Sequence, residues 1–385
     1  MSATLIHSAR LVDDGRVTDD GWVLFADGRV AAVGDGESGR DAAPAATTVI
    51  DARALAGPGA ILTPGFIDLH GHGGAGASYD EGADAIRAAR ALHRAHGTTR
   101  AVVSLVTASV DDLVERVGVV AGLAAHDPQI LGSHLEGPFL DPGHKGAHTE
   151  GLLVDPTPVA IDRLVDAARG TLVQVTLAPE RPGAGAGLER LRAAGVVVAV
   201  GHTDADADTA RAAFDAGASL LTHAFNAMPG IHHRAPGPVV AALRDPRVVL
   251  EIIADGVHVD PALIAVAFDA APGRIALVTD AMAAAGADDG RYLLGGLEVS
   301  VDDGVARLVE GGAIAGSTLT QDAALRVVVA AGVALPAAVA ALTRTPARAI
   351  GRDDIGRLSP GARADAVLLD AGLGVRGVWA DGDAV

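Results

Sequence analysis

Eight short apolar runs rich in β-branched residues recur through the middle of the chain, and alanine-rich stretches of helical pattern separate most of them. The runs are Phe66–Leu69, Thr99–Val106, Ile130–Leu135, Leu172–Leu177, Val196–Val200, Leu220–Thr222, Val248–Ile253 and Ile275–Thr279. Strands that alternate with helices pair in parallel, and eight such strands close a barrel. We therefore predict an α/β fold with a (βα)8 TIM-like barrel. A doubly wound open sheet is the alternative, although no GxGxxG motif follows the first run.

Both ends of the chain have a different sequence pattern, in which short stretches of alternating apolar and polar residues are separated by turns. Three Asp-Gly pairs mark hairpin turns near the amino terminus, at Asp14-Gly15, Asp27-Gly28 and Asp35-Gly36. Neither end is long enough to form a stable sheet alone. We therefore predict one small β-domain built from residues 1–62 and 352–385, flanking a barrel of residues 63–351.

The charge and composition of the chain exclude several kinds of partner. The 385 residues include 48 acidic against 30 basic side chains, a net charge of −18 that repels nucleic acid and anionic lipid. No cysteine is present, which excludes disulfides and thiolate metal sites and is compatible with a cytoplasmic location. The amino terminus lacks the pattern of a signal peptide. The longest apolar run, Val327–Leu342, contains Gly332 and Pro336, so we expect two short helices there rather than a membrane span.

Residues that bind metals or transfer protons follow five of the eight predicted strands. Any one of them has a simpler interpretation, as a buried histidine, a capping carboxylate or a solvated histidine in a glycine-rich turn. The carboxyl ends of parallel strands meet at one rim of a barrel, however, and that rim carries the chemistry of barrel enzymes. The sequence therefore predicts a shared metal and proton-transfer site formed by His70, His72, Glu136, His202, His223 and Asp280.

Seven segments between residue 63 and about residue 320 resemble a known enzyme family. They are TPGFIDLHGHG, SHLEGPF, AVGHTDA, LTHAFNAMPGIHHR, IIADGVHVD, VTDAMAAAG and IAGSTLT. Together and in this order they resemble the N-acetylglucosamine-6-phosphate deacetylase family of the amidohydrolase superfamily. The resemblance implies metal-dependent hydrolysis of N-acetyl-D-glucosamine 6-phosphate to D-glucosamine 6-phosphate and acetate. It also implies that the small β-domain is a β-sandwich divided between the two chain ends and that the barrel is the catalytic domain.

The resemblance implies a site for one or two divalent metal ions. Glu136, His202 and His223 correspond to the tight site, and His70 and His72 to the pair that holds a second ion in some members. Many members of the wider superfamily bridge their metal ions with a carboxylated lysine. The only lysine here is Lys145, in the loop after the third strand, so the resemblance implies that Glu136 supplies the bridging carboxylate. Histidine and glutamate ligands suit zinc, which we prefer, or iron(II).

The resemblance also assigns catalytic and substrate-binding residues. Asp280 corresponds to the general base, with a structural partner of a metal ligand as the alternative role. His148 corresponds to the histidine that stabilises the oxyanion, with a solvated loop histidine as the alternative. Arg234 and His258 resemble the pair that binds phosphate, and in the family the arginine crosses a homodimer interface to the neighbouring active site. The expected sugar contacts are Ala147, His148, Asn226, Ala227, Ile314, Ala315 and Gly316.

Two competing functions remain open from the sequence alone. Another metal-dependent amidohydrolase, such as a cyclic amidase or an aminoacylase, would need no sugar phosphate. A non-catalytic binding module with the same fold would be expected to lose metal ligands, and the expected ligands are present. No role is assigned to His144, His232 or His233, which are interpreted as solvated loop histidines.

Overall fold

The computed structural model describes residues 3–36, 39, 43–44 and 47–385. The chain divides into two compact units. The first is formed by Met1–Asp68, His93–Arg100 and Gln321–Val385, and the second by Leu69–Leu92 and Ala101–Thr320. The domain boundaries at residues 62 and 352 stay a prediction from the sequence.

The strands occupy most of the positions expected from the apolar runs. In chain order they are β1 (Ala3–Asp13), β2 (Arg16–Ala26), β3 (Arg29–Asp35), β4 (Thr47–Asp51), β5 (Ile61–Pro64), β6 (Phe66–Asp68), β7 (Gly73–Gly74), β8 (Ala77–Ser78), β9 (Thr98–Val106), β10 (Ile130–Glu136), β11 (Leu172–Leu177), β12 (Val197–Val200), β13 (Leu220–Leu221), β14 (Val249–Ile253), β15 (Ile275–Val278), β16 (Gly290–Leu294), β17 (Leu297–Asp302), β18 (Val305–Leu308), β19 (Ala366–Leu369), β20 (Val375–Ala380) and β21 (Asp383–Ala384).

The helices lie mainly between the strands of the eight-stranded parallel sheet described next. They are α1 (Ala52–Ala56), α2 (Ala83–Ala95), α3 (Val110–Ala124), α4 (Pro158–Ala168), α5 (Ala184–Ala193), α6 (Ala207–Asp215), α7 (Gly237–Arg244), α8 (Pro261–Ala270), α9 (Gln321–Ala330), α10 (Leu335–Leu342) and α11 (Arg344–Ala349). Helix α4 shows how the sequence sets these limits. The Thr157 hydroxyl accepts the N–H of Ala160 at its start, and Gly170, with φ of 83°, follows its end.

Eight parallel strands form a nearly closed barrel, as predicted. Their order is β6-β9-β10-β11-β12-β13-β14-β15, so the chain winds once around the sheet in sequence order. The circle closes where the Asp280 N–H, beyond β15, donates to the His70 carbonyl, beyond β6, at 2.8 Å. The fold class predicted from the eight apolar runs is confirmed.

The chain ends form a separate sheet, as expected. Its strands follow the order β21-β20-β19-β5-β1-β2-β3, and β4 pairs with β1. Neighbouring residues of β1 face opposite sides, so Ile6 joins one apolar cluster and Leu5 another. Asp14-Gly15 and Asp27-Gly28 turn the hairpins as predicted. The third pair, Asp35-Gly36, does not, because β4 lies parallel to β1 instead of pairing with β3.

A third, three-stranded antiparallel sheet of β16, β17 and β18 was not predicted from the sequence. Its inner face, including Leu294, Val299 and Val301, packs in one cluster with Met282. The run at Val327–Leu342 is divided between two helices, as expected, by the turn at Gly332. Within the described residues, no helix combines the length and apolar character needed to cross a bilayer.

A buried ion pair ties β9 to the carboxyl-terminal strands and generates a stability prediction. The Arg100 side chain has no exposure, and it donates two hydrogen bonds to Asp365, at 2.7 and 2.9 Å, and one to Asp381 at 2.7 Å. We expect Arg100→Gln to lower the free energy of unfolding by about 3–5 kcal/mol, because it leaves a buried carboxylate without its cation. Chemical denaturation measures this change.

The exposed pair of Arg211 and Asp208 provides a matched control, since Asp208 is 85% exposed. We expect Arg211→Gln to change the free energy of unfolding by less than about 1 kcal/mol. A loss at Arg100 no larger than the loss at Arg211 would contradict a stabilising role for the buried pair.

Candidate metal centre

The residues predicted to form a metal site lie together at one rim of the barrel. Each lies at or just beyond the carboxyl end of a strand, where parallel strands bring their ends together. Glu136 is the last residue of β10 and is buried. The others follow β6, β12, β13 and β15, and they are His70, His72, His202, His223 and Asp280.

The Glu136 carboxylate is the centre of this group. Its Oε1 atom lies 3.0 Å from Nε2 of both His202 and His223, and 3.3 Å from Nε2 of His70. Its Oε2 atom lies 3.1 Å from Nε2 of His72. The imidazoles also approach one another, with Nε2 atoms 2.9 Å apart in the pair His202–His223 and 3.1 Å apart in the pair His70–His72.

Asp280 approaches the same group from beyond β15, the last strand in the order of the barrel sheet. Its Oδ1 atom lies 3.2 Å from His72 Nε2 and 3.5 Å from His70 Nε2. One ligand atom each from His70, His72, Glu136 and Asp280 fits within 4.8 Å of the others. The same holds for Glu136, His148 and His202. Glu136 belongs to both sets, so one carboxylate could contact two ions.

The chemistry of the donors fits a cation. His202 Nδ1 lies 2.9 Å from the His144 carbonyl, which only accepts, so Nδ1 carries the proton and the Nε2 lone pair faces the cluster. Nitrogen lone pairs and carboxylate oxygens converging at about 3 Å repel one another unless a proton or a metal ion lies between them. Imidazole and carboxylate are donors that zinc and iron(II) accept.

The pKa values describe the same preference for positive charge. Burial alone would lower the pKa of His72, but hydrogen bonds to Asp280 and Glu136 raise it to about 9. Burial alone would raise the pKa of Asp280, but the neighbouring His70 and His72 lower it to about 2. A proton and a metal cation therefore compete for the same electron pairs.

Three residues of the site have backbone conformations that side chains rarely adopt. The φ angles are 46° at His202, 25° at His223 and 48° at Asp280. Such conformations cost about 1–3 kcal/mol each and persist where the surrounding structure enforces them. At this rim they turn the side chain at the end of a strand toward the cluster.

A cavity of about 360 Å³ opens onto the cluster. Most of the predicted substrate contacts line it together with the metal-site residues, namely Ala147, His148, Asn226, Ala227, His258, Ile314 and Gly316. Ala315 is buried, and His70 lies fully buried within the cluster. Arg234 is exposed and lines a different recess, beside Asp204 and Asp208.

Two of the predicted contacts have fixed polar partners. His148 Nδ1 lies 2.8 Å from the Thr107 hydroxyl, and its Nε2 lies 3.3 Å from Glu136 Oε2. Burial lowers the pKa of His148 to about 4, although Glu136 opposes the shift, so the ring is neutral at pH 7. His258 Nδ1 donates to Asp255 at 2.6 Å.

The three histidines without an assigned role differ from one another. His232 and His233 are exposed, with ring centroids 4.2 Å apart. His144 lines the cavity, holds His202 through its carbonyl, and its Nδ1 lies 3.2 Å from Asp141. The interpretation as a solvated loop residue therefore misses the structural part that the His144 backbone plays.

Sequence reasoning also missed two residues that contact the site. Thr107 follows β9 and links His148 to the backbone of Glu136, because its hydroxyl lies 2.8 Å from His148 Nδ1 and 3.0 Å from the Glu136 carbonyl oxygen. Glu251 is fully buried in β14, with Oε2 3.4 Å from His70 Nδ1. The signal for Glu251 is its charge in an otherwise apolar run, Val248–Ile253.

Comparison with known proteins agrees with this architecture. The amidohydrolase family profile matches residues 61–385. The N-acetylgalactosamine-6-phosphate deacetylase of Escherichia coli O157:H7 is 40% identical over 363 residues, which cover 93% of this chain and 92% of the relative. The N-acetylglucosamine-6-phosphate deacetylase of Vibrio furnissii is 35% identical, with 83% and 82% covered.

A solved structure is similar over the whole chain. It is a mutant N-acetyl-D-glucosamine-6-phosphate deacetylase from Mycobacterium smegmatis, in complex with N-acetyl-D-glucosamine-6-phosphate. It superposes with a TM-score of 0.92 at 43% identity and covers 100% of this chain and 99% of its own. The family match and the full-length relatives together show that this chain belongs to the amidohydrolase family, within its group of N-acetylglucosamine-6-phosphate deacetylases.

Proposed function

We propose that this chain hydrolyses N-acetyl-D-glucosamine 6-phosphate to D-glucosamine 6-phosphate and acetate, a reaction of amino-sugar catabolism. The observation that carries the proposal is the convergence of Glu136 and Asp280 with four imidazoles beside a cavity large enough for a sugar phosphate. The Mycobacterium smegmatis relative, solved with this sugar phosphate, supports the same substrate.

The metal would be held by residues of the cluster in one or two positions. Glu136, His202 and His223 would hold the first ion, and His70, His72 and Glu136 would hold a second one. A bound divalent ion would lower the pKa of water toward neutrality and polarise a carbonyl oxygen. The donor set supports zinc, with iron(II) as the alternative.

Asp280 is the proposed general base. Burial alone would raise the pKa of Asp280, but His70 and His72 lower it to about 2, so the carboxylate is ionised at neutral pH. The proposed role of Asp280 is to accept a proton from water. It would return that proton to the nitrogen of the amide, because an amine leaves poorly unless it is protonated. Its position at the edge of the cavity, 3.2 Å from His72 Nε2, supports this role.

His148 is the proposed donor to the oxyanion. Its neutral ring has two tautomers, and the Thr107 hydroxyl decides between them. When Thr107 donates to His148 Nδ1, the proton lies on Nε2 and can stabilise the developing negative charge of the substrate. When Thr107 donates to the Glu136 carbonyl instead, Nε2 is bare and can serve as a ligand.

Arg234 and His258 are the proposed phosphate contacts. His258 lines the cavity of its own chain. The exposed position of Arg234 is compatible with service to the active site of a second copy, so we propose a homodimer in which this guanidinium reaches the neighbouring site. In a chain of net charge −18, a local cation is needed to hold an anionic substrate. We also propose a cytoplasmic location, which the absence of cysteine permits.

A second substrate is favoured by a specific relative. The Escherichia coli protein that is 40% identical is named for N-acetylgalactosamine 6-phosphate, which differs from the glucosamine compound at one hydroxyl of the ring. The two sugars share the amide and the phosphate, so the site chemistry described above serves both.

Acetate release from metal-replete protein tests the proposed function. We expect turnover of N-acetyl-D-glucosamine 6-phosphate, with a lower kcat/KM for N-acetyl-D-galactosamine 6-phosphate and for unphosphorylated N-acetyl-D-glucosamine. A higher kcat/KM for the galactosamine compound would assign the second substrate. Equal rates with and without the phosphate would favour another amidohydrolase activity.

Replacing the proposed base tests the role of Asp280. We expect Asp280→Asn to lower kcat by about 10²–10⁴-fold, because an amide cannot accept the proton, while the metal content stays unchanged. Steady-state kinetics and elemental analysis measure the two quantities. Asp269→Asn, at an exposed position of α8, is the control for the loss of one charge. Full activity of Asp280→Asn would remove this residue as the base.

Replacing the proposed phosphate ligand tests Arg234. Hydrogen bonds to a charged group are worth about 1.5–3 kcal/mol, so we expect Arg234→Ala to raise KM for the phosphorylated sugar by about 10- to 100-fold. The unphosphorylated sugar should be affected much less. Arg244→Ala removes an exposed guanidinium at the end of α7 and should leave both KM values unchanged. Equal effects of Arg234→Ala on the two sugars would refute a phosphate role.

A further inference from the structure

Glu251 places a carboxylate in the interior of the barrel, beneath the proposed metal centre. The residue is fully buried in β14, whose other members are apolar. Its Oε1 atom accepts a hydrogen bond from Gln174 Nε2 at 2.9 Å, and its Oε2 atom lies 3.4 Å from His70 Nδ1. Within the described part of the chain, His70 is the one ion-pair partner of Glu251. A carboxylate at full burial is costly unless it is hydrogen-bonded and its charge is compensated.

The contact with Glu251 gives the two ring nitrogens of His70 different roles. A carboxylate accepts, so the proton of the neutral ring lies on Nδ1 and points at Glu251. The lone pair on Nε2 then faces the cluster, 3.3 Å from Glu136 Oε1 and 3.1 Å from His72 Nε2. This is the orientation in which an imidazole binds a metal ion, and a carboxylate behind the ring makes the ligand nitrogen more basic.

The other imidazoles of the cluster have no comparable support. His202 donates from Nδ1 to a neutral carbonyl, that of His144. The Nδ1 atoms of His72 and His223 are buried and have no hydrogen-bond partner among the residues that the structure describes. The negative charge of Glu251 behind the His70 ring therefore favours a cation at His70 Nε2 more than at the other imidazoles of the cluster.

We propose that Glu251 is a positioning residue for a second metal ion, which it strengthens by fixing the tautomer and orientation of His70. The inference rests on the proposed assignment of His70 as a ligand of that ion. Gln174 contributes by holding the other carboxylate oxygen of Glu251. The first ion, at Glu136, His202 and His223, does not depend on Glu251.

Zinc binding by the whole chain tests this role without using activity. The metal-free protein is titrated at buffered free zinc concentrations, and bound zinc per chain is measured by elemental analysis. We expect two ions in the wild-type protein. Glu251→Gln, which keeps the shape and removes the charge, should weaken the second ion by about 10- to 100-fold and leave the first unchanged. A single bound ion in the wild-type protein, or an unchanged second ion in Glu251→Gln, would overturn the inference.

His70→Asn and the double variant separate the steps of the reasoning. We expect His70→Asn to weaken the second ion, and Glu251→Gln to add nothing in that background, because both changes act through one ring. If His70→Asn leaves zinc binding unchanged, the ligand assignment fails. If His70→Asn weakens the second ion and the two changes add in full, Glu251 does not act through His70 and the inference fails alone.

A measurement on the unmodified protein covers the case in which Glu251→Gln does not fold. Long-range nitrogen–proton NMR reports which ring nitrogen of each histidine carries the proton, and His70→Asn identifies the His70 signals. We expect the proton of His70 on Nδ1 in the zinc-loaded protein. A proton on Nε2 would overturn the inference.

Discussion

The Glu136 carboxylate is the interaction on which the rim of the barrel depends. It brings one buried negative charge within about 3.3 Å of imidazoles that arrive from β6, β12 and β13. Such a group is stable only when positive charge enters it, as protons or as a metal ion. The strand order that closes the barrel is therefore also what makes the cluster able to bind a cation.

The backbone conformation at the carboxyl ends of the barrel strands positions the side chains of the site. His202, His223 and Asp280 follow their strands in left-handed conformations, and their side chains meet in the cluster. Hydrogen bonds of the closed sheet hold the same backbone, such as the one from Asp280 to the His70 carbonyl. Deeper in the barrel, polar groups of Ser104, His134 and Thr176 are linked at 2.8–2.9 Å, so a hydrogen-bonded layer lies beneath the cluster.

Much of this could be predicted because the pattern of each strand is local. An apolar run followed by a histidine or a carboxylate fixes both the strand and the rim position of its last side chain. The role of Glu251 could not be predicted, because a charge in a buried strand is explained only by its partner. That partner, His70, lies 181 positions away in the sequence. Arg234 lies outside the cavity of its own chain, and no local pattern in the sequence describes where it lies relative to a second chain. The sheet of β16–β18 had a usable signal, the turns Gly295-Gly296 and Asp303-Gly304, which the strong barrel pattern obscured.

The sheet shared by the chain ends has a consequence for synthesis on the ribosome. Strand β5 lies between β1 and β19, and Thr63 pairs with Val367, about 300 residues later. At a synthesis rate of 5–20 residues per second, about 15–60 s pass between the synthesis of β5 and that of β19. Throughout that time the N–H and carbonyl groups of β5 that pair with β19 have no partner from that strand, and an open edge of this kind can pair with another chain. Completion of translation, and not the speed of local folding, sets the moment at which this edge is protected.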